Sequence, residues 1–367
     1  MRAVSFIALF GAAALAAPVA TSCTSSIAVR ETPFTFPIAN GFPNLSDSAL
    51  AQVEQQAHGE LPNSKLPDGI ADRTATVFSL IAFNEFFEVA FFSDLLANIT
   101  AGVTGYRVGD PGLPSAPIQS SVIEVLTQIL AVEQLHNTGA NKILSAASRT
   151  PIQPCRYTFP SATFVDAIAF ASTFTDVVLG TLQSAIHTLA LDGDVDFTNL
   201  LASVIGDEAE QEAWFRIAQA SGLSPVELPF LTASSGPFAF SALNQGVVVP
   251  GSCPSLASIP IPILKPLNIA TKNLNSNTTS IEFSIAASST DALKGLSLVY
   301  VNQQLLRVVV GPQAVAYANG QVTFTAPFSA SMDGLTIAAL TTSAGPFADA
   351  DAVAAAAVFG PGLIEFD

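Results

Sequence analysis

Hydrophobic and polar positions follow two different periods along this chain. Between about residues 71 and 221, four long apolar segments recur at the three-to-four spacing of a helix: Thr74–Ile99, Ser120–Ala147, Ser161–Ala190 and Asn199–Ser221. Gly, Pro or Asx residues bound each of them, and four such segments predict a four-helix bundle. A shorter helix is expected over Ser46–His58, capped by Ser46 or Asp47, with turn chemistry following from Leu61 to Gly69. From 222 to about 270, Pro, Gly and Ser punctuate the chain, which reads as a linker. Short β-rich runs then follow at Ile281–Ala286, Leu296–Val301, Leu305–Val310, Gln321–Ala326 and Leu335–Thr341, with Asn302-Gln303-Gln304 and Asn319-Gly320 as connections. Their spacing predicts a small antiparallel β-sandwich over 271–367. The expected fold is mainly α: a bundle over 71–221, a linker, then the sandwich, with an extended N-terminal segment over 21–70.

Laying each helix on its core stripe exposes polar residues where apolar ones belong. The first stripe runs Ile81, Glu85, Glu88, Phe92, Leu95, and the second runs Val122, Leu126, Ile129, Glu133, His136, Ala140, Ile143. The third carries Thr175 at its middle, and the fourth carries Glu208 and Gln211. An ionised carboxylate in an apolar core is costly unless it is paired or bound to a cation, and no Lys or Arg lies on these stripes. Protons, water, the imidazole or a metal ion must therefore balance them. Glu133-Gln-Leu-His136 places a carboxylate and an imidazole on one helix face.

The chain resembles the ferritin-like superfamily. More narrowly, it is similar to the secreted fungal proteins of that superfamily described as stress-response, desiccation-related or late-sexual-development proteins. The resemblance rests on Asn84-Glu-Phe-Phe-Glu-Val-Ala-Phe-Phe92, Ala131-Val-Glu-Gln-Leu-His136, Cys155-Arg-Tyr-Thr-Phe-Pro160 and Asp207-Glu-Ala-Glu-Gln-Glu-Ala-Trp-Phe-Arg216. It covers about residues 71–220, and the C-terminal region follows the same layout with less specific motifs. It implies a bundle with a carboxylate-bridged pair of metal ions, built from a Glu on two helices and a Glu-x-x-His pair on the other two. Carried over residue by residue, Glu85, Glu133, His136 and Glu208 match. The third-helix Glu falls on Thr175, with Asp176 one position off the stripe, and the fourth-helix His falls on Gln211. One half of a two-metal centre is thus present, with Glu88, Thr175 and Gln211 around it. The expectation is a degenerate centre that holds a single Fe, Mn or Zn ion or none; ligand type alone does not choose among these metals. The alternative is a hydrogen-bonded polar cluster with Glu85 or Glu208 protonated.

Composition and charge narrow the function classes. Thirteen basic residues stand against 29 acidic ones, for a formal net charge of −16, and no Lys/Arg cluster exists to meet phosphate, so a nucleic-acid partner is not expected. Mean hydropathy is +0.48, yet no membrane span is expected; the apolar run Ala3–Ala20 reads as a secretory signal peptide over 1–20. The C-terminal run Ala352–Ile364 is broken by Gly360-Pro361-Gly362, which disfavours a lipid-anchor signal. An extracellular location, including the cell wall, follows, and it gives meaning to the cysteines. Cys155 and Cys253 are the expected disulfide, since Cys23 sits near the cleavage site. Asn44, Asn98 and Asn277 begin glycosylation triplets.

Several weaker signals resolve to structural roles. His187 lies too far along its helix to join the cluster. Asp192-Gly-Asp-Val-Asp196 alternates Asp residues but lacks the Gly and Glu of a calcium loop, so a helix–helix turn is expected. Glu210 and Glu212 fall off the stripe and are expected to be solvated. The Phe-rich first helix is apolar nearly all round, so the N-terminal helix, the β domain or a second subunit must cover its outer side. Three functions fit: a non-catalytic extracellular or cell-wall protein with a degenerate centre, a metal-dependent oxidoreductase, or a glycan- or partner-binding protein read by residues 270–367. The resemblance implies a role in stress tolerance or development and no specific reaction.

Overall fold

The computed structural model describes residues 32–366, apart from 220–222, 273, 276 and 330. The expected signal peptide and Cys23 lie outside the described residues. The first elements follow from local sequence. Helix α1 (Asp47–Ala57) is capped by Ser46, whose hydroxyl accepts from the Ala49 amide at 3.2 Å. Helices α2 (Asp72–Thr100), α3 (Ala116–Ala146), α4 (Phe164–Asp192) and α5 (Thr198–Ala218) form the bundle, close to the predicted bounds. Pro117 opens the first turn of α3, where its missing N–H costs nothing, and Thr163 caps α4. Gly193 ends α4 in the left-handed conformation at φ 84°. The Asp-rich turn that follows uses its carboxylates on α2: Asp194 Oδ2 accepts from the Ala71 amide at 3.0 Å, and Asp192 pairs with Arg73. Asp194 thereby caps a helix that has no side-chain cap of its own.

The core of the bundle is aromatic. Phe87 of α2 packs against Phe91, Tyr157, Phe159, Phe170 and Phe174, the last at 4.7 Å between ring centroids. The cover that α2 needs comes from two places. In the N-terminal segment, Phe36 and Phe42 sit 5.5 and 5.7 Å from Phe86. On the other side, Phe240 lies 5.0 Å from Phe83. Helices α2 and α4 are long and apolar enough to cross a membrane, but 83% and 67% of their apolar windows are buried inside the protein. That burial is what bundle-core helices require.

Residues 222–270 differ from the linker expected there. They contain helix α6 (Gly236–Gly246), which buries Phe238, Phe240 and Leu243. Pro237 stands in the first turn of this helix, a position that Pro suits as well as it suits a loop. A disulfide joins Cys155 to Cys253 and ties this segment back to the connection between α3 and α4.

The C-terminal unit is a two-sheet antiparallel sandwich. Strands β1 (Asn268–Ile269), β2 (Ser280–Ala286), β3 (Ser297–Asn302), β4 (Leu305–Val310), β5 (Ala314–Ala318), β6 (Gln321–Pro327) and β7 (Gly334–Thr341) precede helix α7 (Ala350–Ala356) and strand β8 (Ala357–Phe366). One sheet has the order β1-β2-β6-β5 and the other β4-β3-β7-β8. The run expected to be a broken apolar tail is thus the last helix and strand. Inward residues of β2 and β6 (Ile281, Phe283, Val322, Phe324) meet Leu298, Tyr300, Ala338 and Leu340 in a shared core. Strands β3 and β7 are buried on both faces, because their second face is not solvated. Val299, Val301, Leu335 and Ile337 pack there against Phe238 of α6, Val353 of α7 and Val177 of α4. The sandwich is therefore fused to the bundle through one sheet.

Candidate metal centre

Each bundle helix except α4 contributes to one buried cluster. Glu85 comes from α2, Glu133 and His136 from α3, and Glu208 from α5; one ligand atom from each lies within 4.8 Å of the others. Glu85 is 2% exposed, and Glu133 and Glu208 are fully buried. The three-residue spacing on α3 sets the central contact, with His136 Nδ1 3.1 Å from Glu133 Oε2. The same nitrogen stands 3.7 Å from Glu208 Oε1 and 3.8 Å from Glu85 Oε2. Its other nitrogen, Nε2, lies 3.9 Å from Asp207 Oδ2. Among the described residues, the imidazole is the ion-pairing partner of all these carboxylates.

The surrounding polar groups support the ligands. Gln211 Nε2 donates to Glu133 Oε1 at 2.6 Å and to Asp207 Oδ2 at 3.1 Å. Asn84 Nδ2 donates to Glu88 Oε2 at 3.1 Å, one turn along α2 from Glu85. Thr175 is buried on α4, and no carboxylate or imidazole of α4 joins this cluster among the described residues. Asp207 was quoted in the sequence only as part of a motif; its spacing of four from Gln211 on α5 is the signal that could have found it. His187 is exposed, as its position on α4 predicts, and so is Glu210. Glu212 differs from expectation: it is buried, because the row Glu208, Glu212, Arg216 on α5 turns into protein rather than solvent. Of the glycosylation triplets, Asn44 and Asn277 are exposed, whereas Asn98 is half-buried in α2 with its amide donating to Asp94.

The electrostatics describe a site short of positive charge. Burial, then the Glu88, Glu133 and Glu208 carboxylates, push Glu85 well above the ordinary carboxylate range. Burial and Glu133 do the same to Glu88 and Glu208. Burial works against a charged imidazole at His136, but its bond to Glu133 and the Glu133 and Asp207 charges outweigh it and raise its pKa. Glu85 Oε2 and both oxygens of Glu208 are buried without a hydrogen-bond partner. Orphaned carboxylate oxygens are costly, and two of these three, Glu85 Oε2 and Glu208 Oε1, stand within 3.8 Å of His136 Nδ1. Three carboxylates and one imidazole are a donor set for Fe, Mn or Zn, so the residues present fit a single ion. Thr175 and Gln211 are the residues that stand at the two positions where the sequence resemblance expects further ligands. A cavity of about 890 Å³ reaches the cluster, lined there by Glu85, His136 and Asp207 and further out by Phe78, Ile81 and Leu200.

Residues 75–221 match the family model for a ferritin-like domain. The matched span covers nearly all of the four bundle helices, and the sandwich lies beyond it. No curated protein matches the chain.

Proposed function

We propose that this carrier of a ferritin-like domain is an extracellular protein whose bundle holds one transition-metal ion at Glu85, Glu133, His136 and Glu208. The observation that carries the reading is the set of orphaned oxygens on Glu85 and Glu208 near His136 Nδ1, with no Lys or Arg paired to them among the described residues. An Fe, Mn or Zn ion would supply that charge and, for Fe or Mn, a one-electron redox couple. Gln211 orients Glu133, and Asp207 faces the outer nitrogen of His136, the arrangement by which outer groups set the orientation of metal ligands. Secretion through residues 1–20, placement at the cell wall and a stress or developmental role of the fungal type belong to the same proposal; secretion rests on the apolar run Ala3–Ala20 and the role on the sequence resemblance. Cobalt(II) replacement tests the site. The reading expects ligand-field absorption in the parent protein and its loss in His136→Ala; unchanged absorption in the variant would overturn it.

The cavity favours a second reading, a metal-dependent oxidoreductase. It gives a small molecule a route to His136 and Glu85 past mostly apolar walls. Oxygen uptake with ferrous iron that disappears in His136→Ala would support that activity. Stable metal with no uptake would leave the ion a structural one.

A further inference from the structure

A second carboxylate cluster lies on the other side of α5, where the bundle meets the C-terminal unit. One oxygen each from Asp176 of α4, Glu212 of α5 and Glu227 lies within 4.8 Å of the others. Asp176 is 4% exposed and Glu212 3%. Asp176 Oδ2 and Glu212 Oε2 are buried with no hydrogen-bond partner, although Ser172 Oγ donates to Glu212 Oε1 at 2.7 Å. Glu365 of β8 stands close enough for its charge to act on both Asp176 and Glu212. Arg216 lies close enough for its charge to act on Glu212, and its Nε also donates to the Ser224 carbonyl at 2.7 Å.

Two further observations point to a ligand rather than an accident of packing. Buried oxygens on nine-tenths-buried side chains are left without partners, which proteins rarely tolerate. Glu227 is also held inward by close packing. A Cβ at Gly334 would lie 2.2 Å from Glu227 Oε1, and Gly334 has φ +65°, so glycine there both makes the turn and leaves room for the carboxylate. Without a counter-ion, burial pushes Glu212 up to about 9 and Asp176 well above the ordinary range.

We propose that Asp176, Glu212 and Glu227, with Glu365 beside them, bind a hard divalent cation of the calcium class that staples the α4–α5 pair to the C-terminal strand. The donor set is all oxygen, with no imidazole or thiolate, which suits calcium over the softer metals of the first centre. The converging carboxylate oxygens are the ligand type that calcium takes, and water would complete its coordination shell. The elements they come from are distant in sequence, so the ion would join the bundle to the sandwich at a point independent of the apolar contact through α6.

Equilibrium dialysis of the EDTA-stripped, full-length protein against calcium tests the site. The expected result is one bound equivalent, retained by His136→Ala and weakened at least tenfold by Glu212→Gln. If Glu212→Gln fails to fold, Glu227→Gln carries the test, since Glu227 lies outside the bundle helices; Gly334→Ala should weaken binding through the displaced carboxylate. No calcium bound by the parent at millimolar concentration overturns the proposal. Binding that Glu227→Gln leaves unchanged, or that His136→Ala removes, overturns it as well.

Discussion

Gln211 Nε2 donates to Glu133 Oε1 at 2.6 Å, which ties α5 to α3 inside the buried cluster. The amide fixes one oxygen of Glu133 and leaves the other facing His136. Gln211→Ala should keep the fold and weaken metal binding about 10–100-fold, the usual effect of losing a group that orients a ligand. Metal titration of the folded variant checks this; affinity equal to that of the parent would remove Gln211 from the site.

The sequence resemblance predicts how a second ion could be added. Thr175→Glu together with Gln211→His replaces both missing ligands. The metal content of the double variant should rise from one ion to two per chain. If it stays at one while the variant remains folded, those two positions are not what limits the centre.

Stability of the metal-free protein should fall as pH rises. Glu85, Glu88, Glu208, Asp176 and Glu212 all have folded pKa values above their unfolded ones, about 9 against 4.5 for Glu212. Below the unfolded value both states hold the proton. Above it the unfolded chain releases protons that the folded chain keeps, and the contribution to stability is lost through the folded pKa. The raised pKa of His136 acts in the same direction, above about 6.5. Each group that is fully protonated in one state only contributes a slope of about 1.4 kcal/mol per pH unit. The Tm of EDTA-treated protein should drop between about pH 5 and 8, and saturating metal should flatten the slope by competing with the protons. A Tm that rises with pH in the metal-free protein would contradict these assignments.

Reduction of the Cys155–Cys253 disulfide removes a constraint on a separation of 98 residues. Loop-closure entropy for a loop of that length amounts to about 4–5 kcal/mol, with native-state effects able to reduce it. Cys155→Ser with Cys253→Ser should lower Tm by several degrees and leave metal content unchanged, because Cys155 lies in the connection between α3 and α4, outside the cluster. Loss of metal in the folded variant would show that the connection positions the ligands.

The four bundle helices and the cluster of Glu85, Glu133, His136 and Glu208 were legible because helical period places them on facing stripes, and polar residues on an apolar stripe stand out. Helix α6 was not legible: Pro237, Gly236 and the flanking Ser residues look the same in a loop as in a first helical turn. Strands β3 and β7 hid their second buried face, since a short apolar run does not say what covers it. The burial of Glu212 is not legible from the stripe that faces the bundle axis, because α5 also faces the segment carrying Glu227. Glu227 and Glu365 lie in stretches without helical period, and only the tertiary fold brings them beside Asp176. The interior acidic residues also change the meaning of the net charge of −16, since several of those carboxylates are not on the surface.

The most direct test is elemental analysis of protein purified without added chelator, compared with Glu133→Ala. Glu133 is fully buried and holds both His136 and Gln211. One Fe, Mn or Zn ion per chain in the parent and none in the folded variant is the predicted result. No transition metal in the parent, even after incubation with excess ion, would contradict it and leave the cluster neutralised by protons alone.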